Sequence, residues 1–151
     1  MSERAAFDRR IDALPAIFDF TASAFERLRA PVELRRDVEF VLEELFTNVV
    51  KYGRGQAPVT IDIAAIAGGV EVTLTEPEAE RFDVTRAPAV DPTLPAAARQ
   101  TGGLGLHLIP RLVDSVKYGY SERERCSRIT FRKTRTATSP DDAAANEGRT
   151  C

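Results

Sequence analysis

The 151 residues of the chain fit one globular domain, since 43% of them are hydrophobic and 29% are charged. Acidic and basic residues nearly balance, with a formal net charge of -2 at pH 7, so no basic surface is expected for nucleic acid. No apolar run is long enough to span a membrane, and the charged start MSERAAFDRR is unlike a signal peptide. Cys126 and Cys151 match no metal-ligand spacing and are expected to be free thiols. We therefore expect a cytoplasmic protein with no direct nucleic-acid or membrane partner.

Two helices open the predicted fold. Apolar residues recur at helical intervals over residues 11–28 and again over residues 32–52, with a break at Ala30-Pro31 between the two patterns. The second pattern is the better defined, and Gly53 ends it.

Within the second helix, Glu44 and Asn48 stand four residues apart and project together from a face beside the buried one. A carboxylate there can accept a proton, and an amide oxygen can ligate a hard cation such as Mg²⁺. Two solvated residues at the edge of an amphipathic helix would have the same spacing. The pair is therefore a candidate site with a plain structural alternative.

A β-hairpin follows, because residues 58–66 and 70–74 alternate apolar and polar side chains on either side of Gly68-Gly69. Residues 76–101 contain four prolines and exceed the length of an ordinary connection, so they are predicted to be functional or mobile. Strands are predicted again at residues 116–120 and 128–131. Residues 134–151 lack aromatic and large aliphatic side chains and are predicted to be a disordered tail after a domain of residues 1–133.

A glycine-rich turn, Thr101-Gly102-Gly103-Leu104-Gly105, precedes a third predicted helix over residues 105–113. Glycines let a ligand approach the backbone closely, and the first N-H groups of a helix attract phosphate. The turn lacks the lysine and hydroxyl of a P-loop, however, so a hinge with a helix cap is the alternative.

Together, EELFTNVVKYG at residues 43–53 and TGGLGLHLIPRLVDSVKYGY at residues 101–120 resemble the N-box and G2 box of the GHKL superfamily of ATPases. The superfamily includes gyrase, histidine kinases and mismatch-repair ATPases, and the closest likeness is to bacterial anti-sigma-factor serine/threonine kinases. The resemblance covers about residues 8–133. It implies an α+β fold, a two-layer α/β sandwich whose antiparallel or mixed sheet is covered on one face by helices, known as the Bergerat ATP-binding fold.

The resemblance also implies a ligand and a set of residues that bind it. Glu44 falls on the family's proposed catalytic base, and Asn48 on the asparagine that holds Mg²⁺. ATP or ADP would place its phosphates over the glycine turn, and the positive charge of Lys51 suits a phosphate. The expected cofactor-binding residues are Asn48, Lys51, Phe82, Asp83, Thr101, Gly102, Gly103, Leu104, Gly105, Leu106 and, near the adenine, Thr130.

The G1 box is where the chain departs from the family. The family pattern is Asp-x-Gly-x-x-Phe-Asp, and here Phe82 and Asp83 match its end while Pro77 and Ala79 replace its aspartate and glycine. A shift of one residue would offer Glu76 or Glu78 as the acid. Removing the partner of a buried hydrogen bond costs about 1 to 3 kcal/mol, enough to weaken ATP by roughly one or two powers of ten.

Two functions are expected from these boxes. The first is an ATP-dependent kinase that phosphorylates a serine or threonine of a STAS-type anti-sigma antagonist, otherwise sequesters a sigma factor, and forms a homodimer. The second is a partner-switching module of the same fold that binds nucleotide weakly or not at all. The N-box and G2 box favour the first function, and the altered G1 box favours the second.

Overall fold

Residues 1–81 and 103–135 are described by a computed structural model of the chain. The predictions for residues 82–102 and for the tail beyond residue 135 therefore lie outside the described residues. The elements, in chain order, are β1 (Ser2–Phe7), α1 (Leu14–Leu28), α2 (Arg35–Tyr52), β2 (Val59–Ile66), β3 (Gly69–Glu76), α3 (Gly103–Leu112), β4 (Ser115–Ser121) and β5 (Cys126–Thr134).

The five described strands form one sheet in the order β1-β2-β3-β5-β4, and every neighbouring pair is antiparallel. The sheet is thus antiparallel rather than mixed. The predicted hairpin is present, with Ile66 opposite Gly69 and Gly68 in the left-handed region at a φ of 75°.

Helices cover one face of this sheet, as predicted. Alternate residues of the central strands point toward α1 and α2 and are fully buried with them, because a strand directs successive side chains to opposite faces. The fully buried side chains include Ile17, Val38, Val41, Phe46, Ile61, Ile63, Val70, Val72 and Phe131. The α+β sandwich expected from the sequence is confirmed.

The other face of the sheet is polar. Thr73 and Thr130 lie opposite each other on β3 and β5, and their hydroxyl oxygens are 3.1 Å apart. Arg4 and Asp62 pair in the same way on β1 and β2, with Nε and Oδ1 2.6 Å apart. These contacts identify the face that points away from the helices.

Helix α2 ends where the sequence predicted, at Gly53, whose N-H donates to the carbonyl of Val49 at 2.8 Å. Its φ of -69° is ordinary for any residue. The glycine is required by space instead, because a Cβ at this position would lie 2.5 Å from the Val49 carbonyl oxygen and 2.9 Å from Nη1 of Arg9. The chain approaches another part of the protein closely at this point.

Strand β1 was not predicted, because the charged start of the chain carries no apolar alternation beyond Ala5 and Phe7. It pairs with β2 at the edge of the sheet, placing Ala5 opposite Ile61 and Phe7 opposite Val59. Helix α3 begins two residues earlier than predicted, at Gly103, and Pro110 lies inside it. Among the described residues, no helix combines the length and apolar character needed to cross a membrane.

Candidate functional site

Helix α2 holds Glu44 and Asn48 side by side, partly buried, on one of its faces. The side-chain amide of Asn48 is fixed in place, since Nδ2 donates a hydrogen bond of 2.6 Å to the backbone carbonyl of Glu44. The opposite orientation would set two oxygens against each other, so the amide has one favourable position. Oδ1 is therefore the atom left to accept a hydrogen bond or ligate a cation.

The carboxyl group of Glu44 has its pKa raised above the usual range. Burial is the main cause, the neighbouring charge of Glu43 adds to it, and the positive charge of Lys51 opposes it. A carboxylate that holds a proton more firmly is a better proton acceptor near neutral pH. Lys51 itself is exposed, two turns after Glu44 on the same helix.

Helix α3 packs against α2, and Leu106 and Ile109 anchor it in the shared hydrophobic core. Gly103, Leu104 and Gly105 form its first turn, where the backbone N-H groups have no partner within the helix. Two further residues of the predicted phosphate turn, Thr101 and Gly102, lie outside the described residues. The structure therefore brings the helix that follows the G2 box against the helix of the N-box.

The two acids offered for the missing aspartate have different surroundings. Glu76 ends β3 on the face that carries Leu74, toward the helices, and its side chain is only 14% exposed. Glu78 has a φ of 53°, and its carboxylate accepts hydrogen bonds from the backbone N-H groups of Gln56, at 3.3 Å, and Ala57, at 3.1 Å. Glu76 is thus the acid that faces the helices, while Glu78 holds the loop after α2.

Arg9 reaches Glu76 from the segment after β1. Its Nη1 lies 3.5 Å from Oε2 of Glu76, and its side chain is 7% exposed. Nε donates to the carbonyl of Ala57 at 2.8 Å, and Nη2 donates to the carbonyl of Pro77. Burial raises the pKa of Glu76, and the charge of Arg9 opposes that rise. Sequence reasoning missed Arg9, because nothing distinguishes it from the other charged residues near the start of the chain.

The segment with Pro77 and Ala79 is fixed to the end of the β4–β5 hairpin. Ala79 is 1% exposed, its N-H donates to the carbonyl of Arg125 at 2.8 Å, and its carbonyl accepts from the hydroxyl of Tyr120 at 2.8 Å. Arg81 lies over the ring of Tyr120, with 5.3 Å between Cζ and the ring centroid. Phe82 and Asp83, the matching end of the G1 pattern, lie outside the described residues.

The structure does not bring Thr130 to this region. Its hydroxyl meets that of Thr73 on the face of the sheet opposite the helices, whereas Glu44 and Asn48 lie in the helical layer. The helix-facing hydroxyl of β5 is that of Ser127, which is buried and stands opposite Glu76. Strand alternation thus places Ser127, and not Thr130, on the helix-facing side of β5, while the place of Thr130 near the adenine stays a prediction.

Comparisons with known proteins agree with this architecture. A crystal structure of the RsbU and RsbW domains of Rv1364c from Mycobacterium tuberculosis matches with a TM-score of 0.62 and 12% sequence identity. The match covers 89% of this chain and 32% of that longer chain, so it shows a shared fold. No curated protein matches the sequence significantly. The family model of the histidine kinase-like ATPase domain matches residues 7–133. The chain thus belongs to the histidine kinase-like ATPase domain family.

Proposed function

We propose that the chain binds Mg·ATP and acts as an anti-sigma kinase that transfers phosphate to a serine or threonine of a STAS-type antagonist protein. The observation that carries the proposal is the pair on α2, where a fixed Asn48 amide lies beside a Glu44 carboxyl with a raised pKa. Perturbed titratable groups beside a cation-ligating atom are typical of active sites. The family supports nucleotide binding, and the RsbW domain of the similar structure supports the partner-switching role.

Asn48 fits a magnesium ion, since its neutral Oδ1 can ligate the metal while Nδ2 stays bound to the carbonyl of Glu44. Bound Mg²⁺ would neutralise charge on the phosphates. The first-turn N-H groups of α3, with Thr101 and Gly102 before them, would bind phosphate oxygens, and Lys51 would add positive charge. Leu106 holds that turn in place from the core.

Glu44 would act on the acceptor hydroxyl. It takes the proton of the serine or threonine as the oxygen bonds to the γ-phosphorus and the bond from phosphorus to the bridging oxygen breaks, which releases ADP. The raised pKa of Glu44 suits this transfer, since a weakly acidic carboxyl keeps the proton it takes. When it is not engaged with the antagonist, the same protein would bind a sigma factor in the cytoplasm and keep it inactive. It would do so as a homodimer.

A second function, a partner switch with little or no nucleotide binding, is favoured by a different observation. The segment that replaces the G1 box is tied to the β4–β5 hairpin through Ala79, and Arg9 already faces Glu76. If Arg9 and this segment fill the place of the base, the fold would serve as a protein-binding surface alone.

Calorimetric titration with Mg·ATP separates the two functions. We expect the wild-type protein to bind, and Asn48→Ala to weaken binding at least tenfold, because the substitution removes the Oδ1 ligand. Glu43→Gln is the matched control, as Glu43 is exposed on the same helix and should leave affinity unchanged. No binding by the wild type at millimolar Mg·ATP would refute the kinase and leave the partner switch.

A further inference from the structure

The residues that follow β3, at positions 77–81, lie between two parts of the fold and are bonded to both. We call residues 77–81 the strap. Ala79 at its centre is buried, whereas its neighbours Glu78 and Glu80 are exposed. The strap belongs to no helix or strand, so its position depends on the bonds that it makes on each side.

On one side, the strap holds the loop that follows α2. The carboxylate of Glu78 accepts hydrogen bonds from the N-H groups of Gln56, at 3.3 Å, and Ala57, at 3.1 Å. Gly55 permits this close approach, since a Cβ there would lie 2.7 Å from Cβ of Glu78. The guanidinium of Arg9 also joins the two segments, because it donates to one backbone carbonyl on each of them.

On the other side, the strap is bonded to the β4–β5 hairpin. The N-H of Ala79 donates to the carbonyl of Arg125 at 2.8 Å, and the carbonyl of Ala79 accepts from the hydroxyl of Tyr120 at 2.8 Å. Arg81 extends this contact, with its guanidinium over the ring of Tyr120 and its Nη2 2.7 Å from Oε1 of Glu122. Both backbone polar groups of Ala79 are therefore bonded to the hairpin.

The two sets of bonds depend on each other through one backbone conformation. Glu78 binds the loop and Ala79 binds the hairpin, with a single peptide bond between the two residues. Glu78 has a φ of 53°, a left-handed conformation that is costly for a residue with a Cβ and persists only where neighbouring bonds hold it. Release of either set would let Glu78 relax, and this relaxation would displace the groups that form the other set.

We propose that the strap couples the β4–β5 hairpin to the end of α2, because it opens and closes as one cooperative unit. Residues 122–125, at the tip of the hairpin, are exposed. A change imposed on this tip reaches the loop after α2 through Ala79 and Glu78. That loop begins at Gly53, five residues after Asn48 on the same helix. The strap thus connects the candidate site to a surface more than 70 residues away in the sequence, a role beyond the proposed kinase activity.

Hydrogen exchange of single amides, measured by NMR, tests whether the strap opens as a unit. Tyr120→Phe removes one bond, on the hairpin side alone. We expect exchange about fivefold faster at Ala79 and a similar acceleration at Gln56 and Ala57, because amides protected by one unit share its opening equilibrium. Tyr52→Phe is the matched control, since it makes the same chemical change at an exposed residue of α2 and should leave these rates unchanged. Acceleration at Ala79 alone would overturn the proposal.

The reverse variant starts from the loop side. Glu78→Ala removes the carboxylate but keeps a Cβ at the same φ, and it should speed exchange at Ala79 about fivefold although the hairpin bonds remain. Glu80→Ala is its matched control, because Glu80 makes an exposed ion pair with Arg54, and such pairs contribute little. Wild-type exchange at Ala79 in Glu78→Ala would show two independent attachments and overturn the coupling.

Two features keep this test separate from folding and from catalysis. The amide resonances of β3 in the same spectra show that each variant is folded. No nucleotide is added, so the outcome is independent of the proposed kinase.

Discussion

The partly buried carboxyl group of Glu44, which suits a proton acceptor, lowers the stability of the folded protein when it is ionised. Its pKa is raised in the folded protein, so the native state binds the proton more readily than the unfolded chain does. Stability linked to this group is therefore greatest at acid pH and is lost as the pH rises through the raised pKa. At neutral pH the ionised carboxylate is held in a partly buried place that its neighbour Glu43 makes less favourable.

We therefore expect Glu44→Gln to raise the melting temperature by a few degrees at pH 7.5 and by less at pH 4, where the wild-type carboxyl is largely protonated. Thermal unfolding followed by circular dichroism at the two pH values measures this difference. Glu26→Gln, an exposed carboxylate of α1, is the control and should change little at either pH. A stabilisation of equal size at both pH values would contradict the assigned pKa shift.

At the site, the sequence predicts local pairs well and distant partners poorly. Glu44 and Asn48 were found because helical spacing alone puts them on one face. Which of Glu76 and Glu78 faces the helices depends on the positive φ of Glu78. No pattern in the sequence indicates that backbone conformation. Arg9 was out of reach, since its contacts at Ala57 and Pro77 lie 48 and 68 residues away.

At the scale of elements, strong periodicity made the helices and the β2–β3 hairpin predictable. Strand β1 was not predicted because its helix-facing positions are Glu3, Ala5 and Phe7, of which only Phe7 is buried. An edge strand needs only one row of partners and can form from such a sequence when a neighbouring strand supplies the pairing. The two glycines of the hairpin turn, Gly68 and Gly69, are each required for a different physical reason.

Gly69 is needed for close packing and Gly68 for its backbone conformation. A Cβ at Gly69 would lie 2.0 Å from the carbonyl oxygen of Lys133, whereas one at Gly68 meets nothing within 4 Å. We expect Gly69→Ala to cost more than about 2 kcal/mol of unfolding free energy, because the β3–β5 pairing must open, and Gly68→Ala about 1 kcal/mol from its positive φ. Urea unfolding measures both. Equal costs would contradict the steric explanation.

For the whole molecule, the two layers place all the proposed chemistry on the helical side of the sheet. The end of α2, the end of β3 and the β4–β5 hairpin meet around Arg9 and the segment after Glu76. The polar outer face, with its threonine and ion pairs, takes no part in this arrangement. The described site is therefore built from parts of the chain that only the complete fold brings together.

The position of Arg9 two residues after β1 connects that site to the edge of the sheet. Among the described strands, β1 pairs with β2 alone, so β1 is one of the elements expected to open most easily. Its displacement would move Arg9 away from Glu76. Any ligand that stabilises the contact between Arg9 and Glu76 must then oppose that opening, by linkage. Because α2, which carries Asn48, ends at Gly53 beside Arg9, we expect saturating Mg·ATP to slow amide hydrogen exchange in Ser2–Phe7, as measured by mass spectrometry.

Unchanged exchange in β1 with protection confined to α3 would show that the bound nucleotide is held by its phosphates alone. Protection that reaches β1 would show that the edge strand is thermodynamically coupled to nucleotide binding. Any partner protein that stabilises or displaces this edge strand would then change the affinity for nucleotide without contacting the nucleotide.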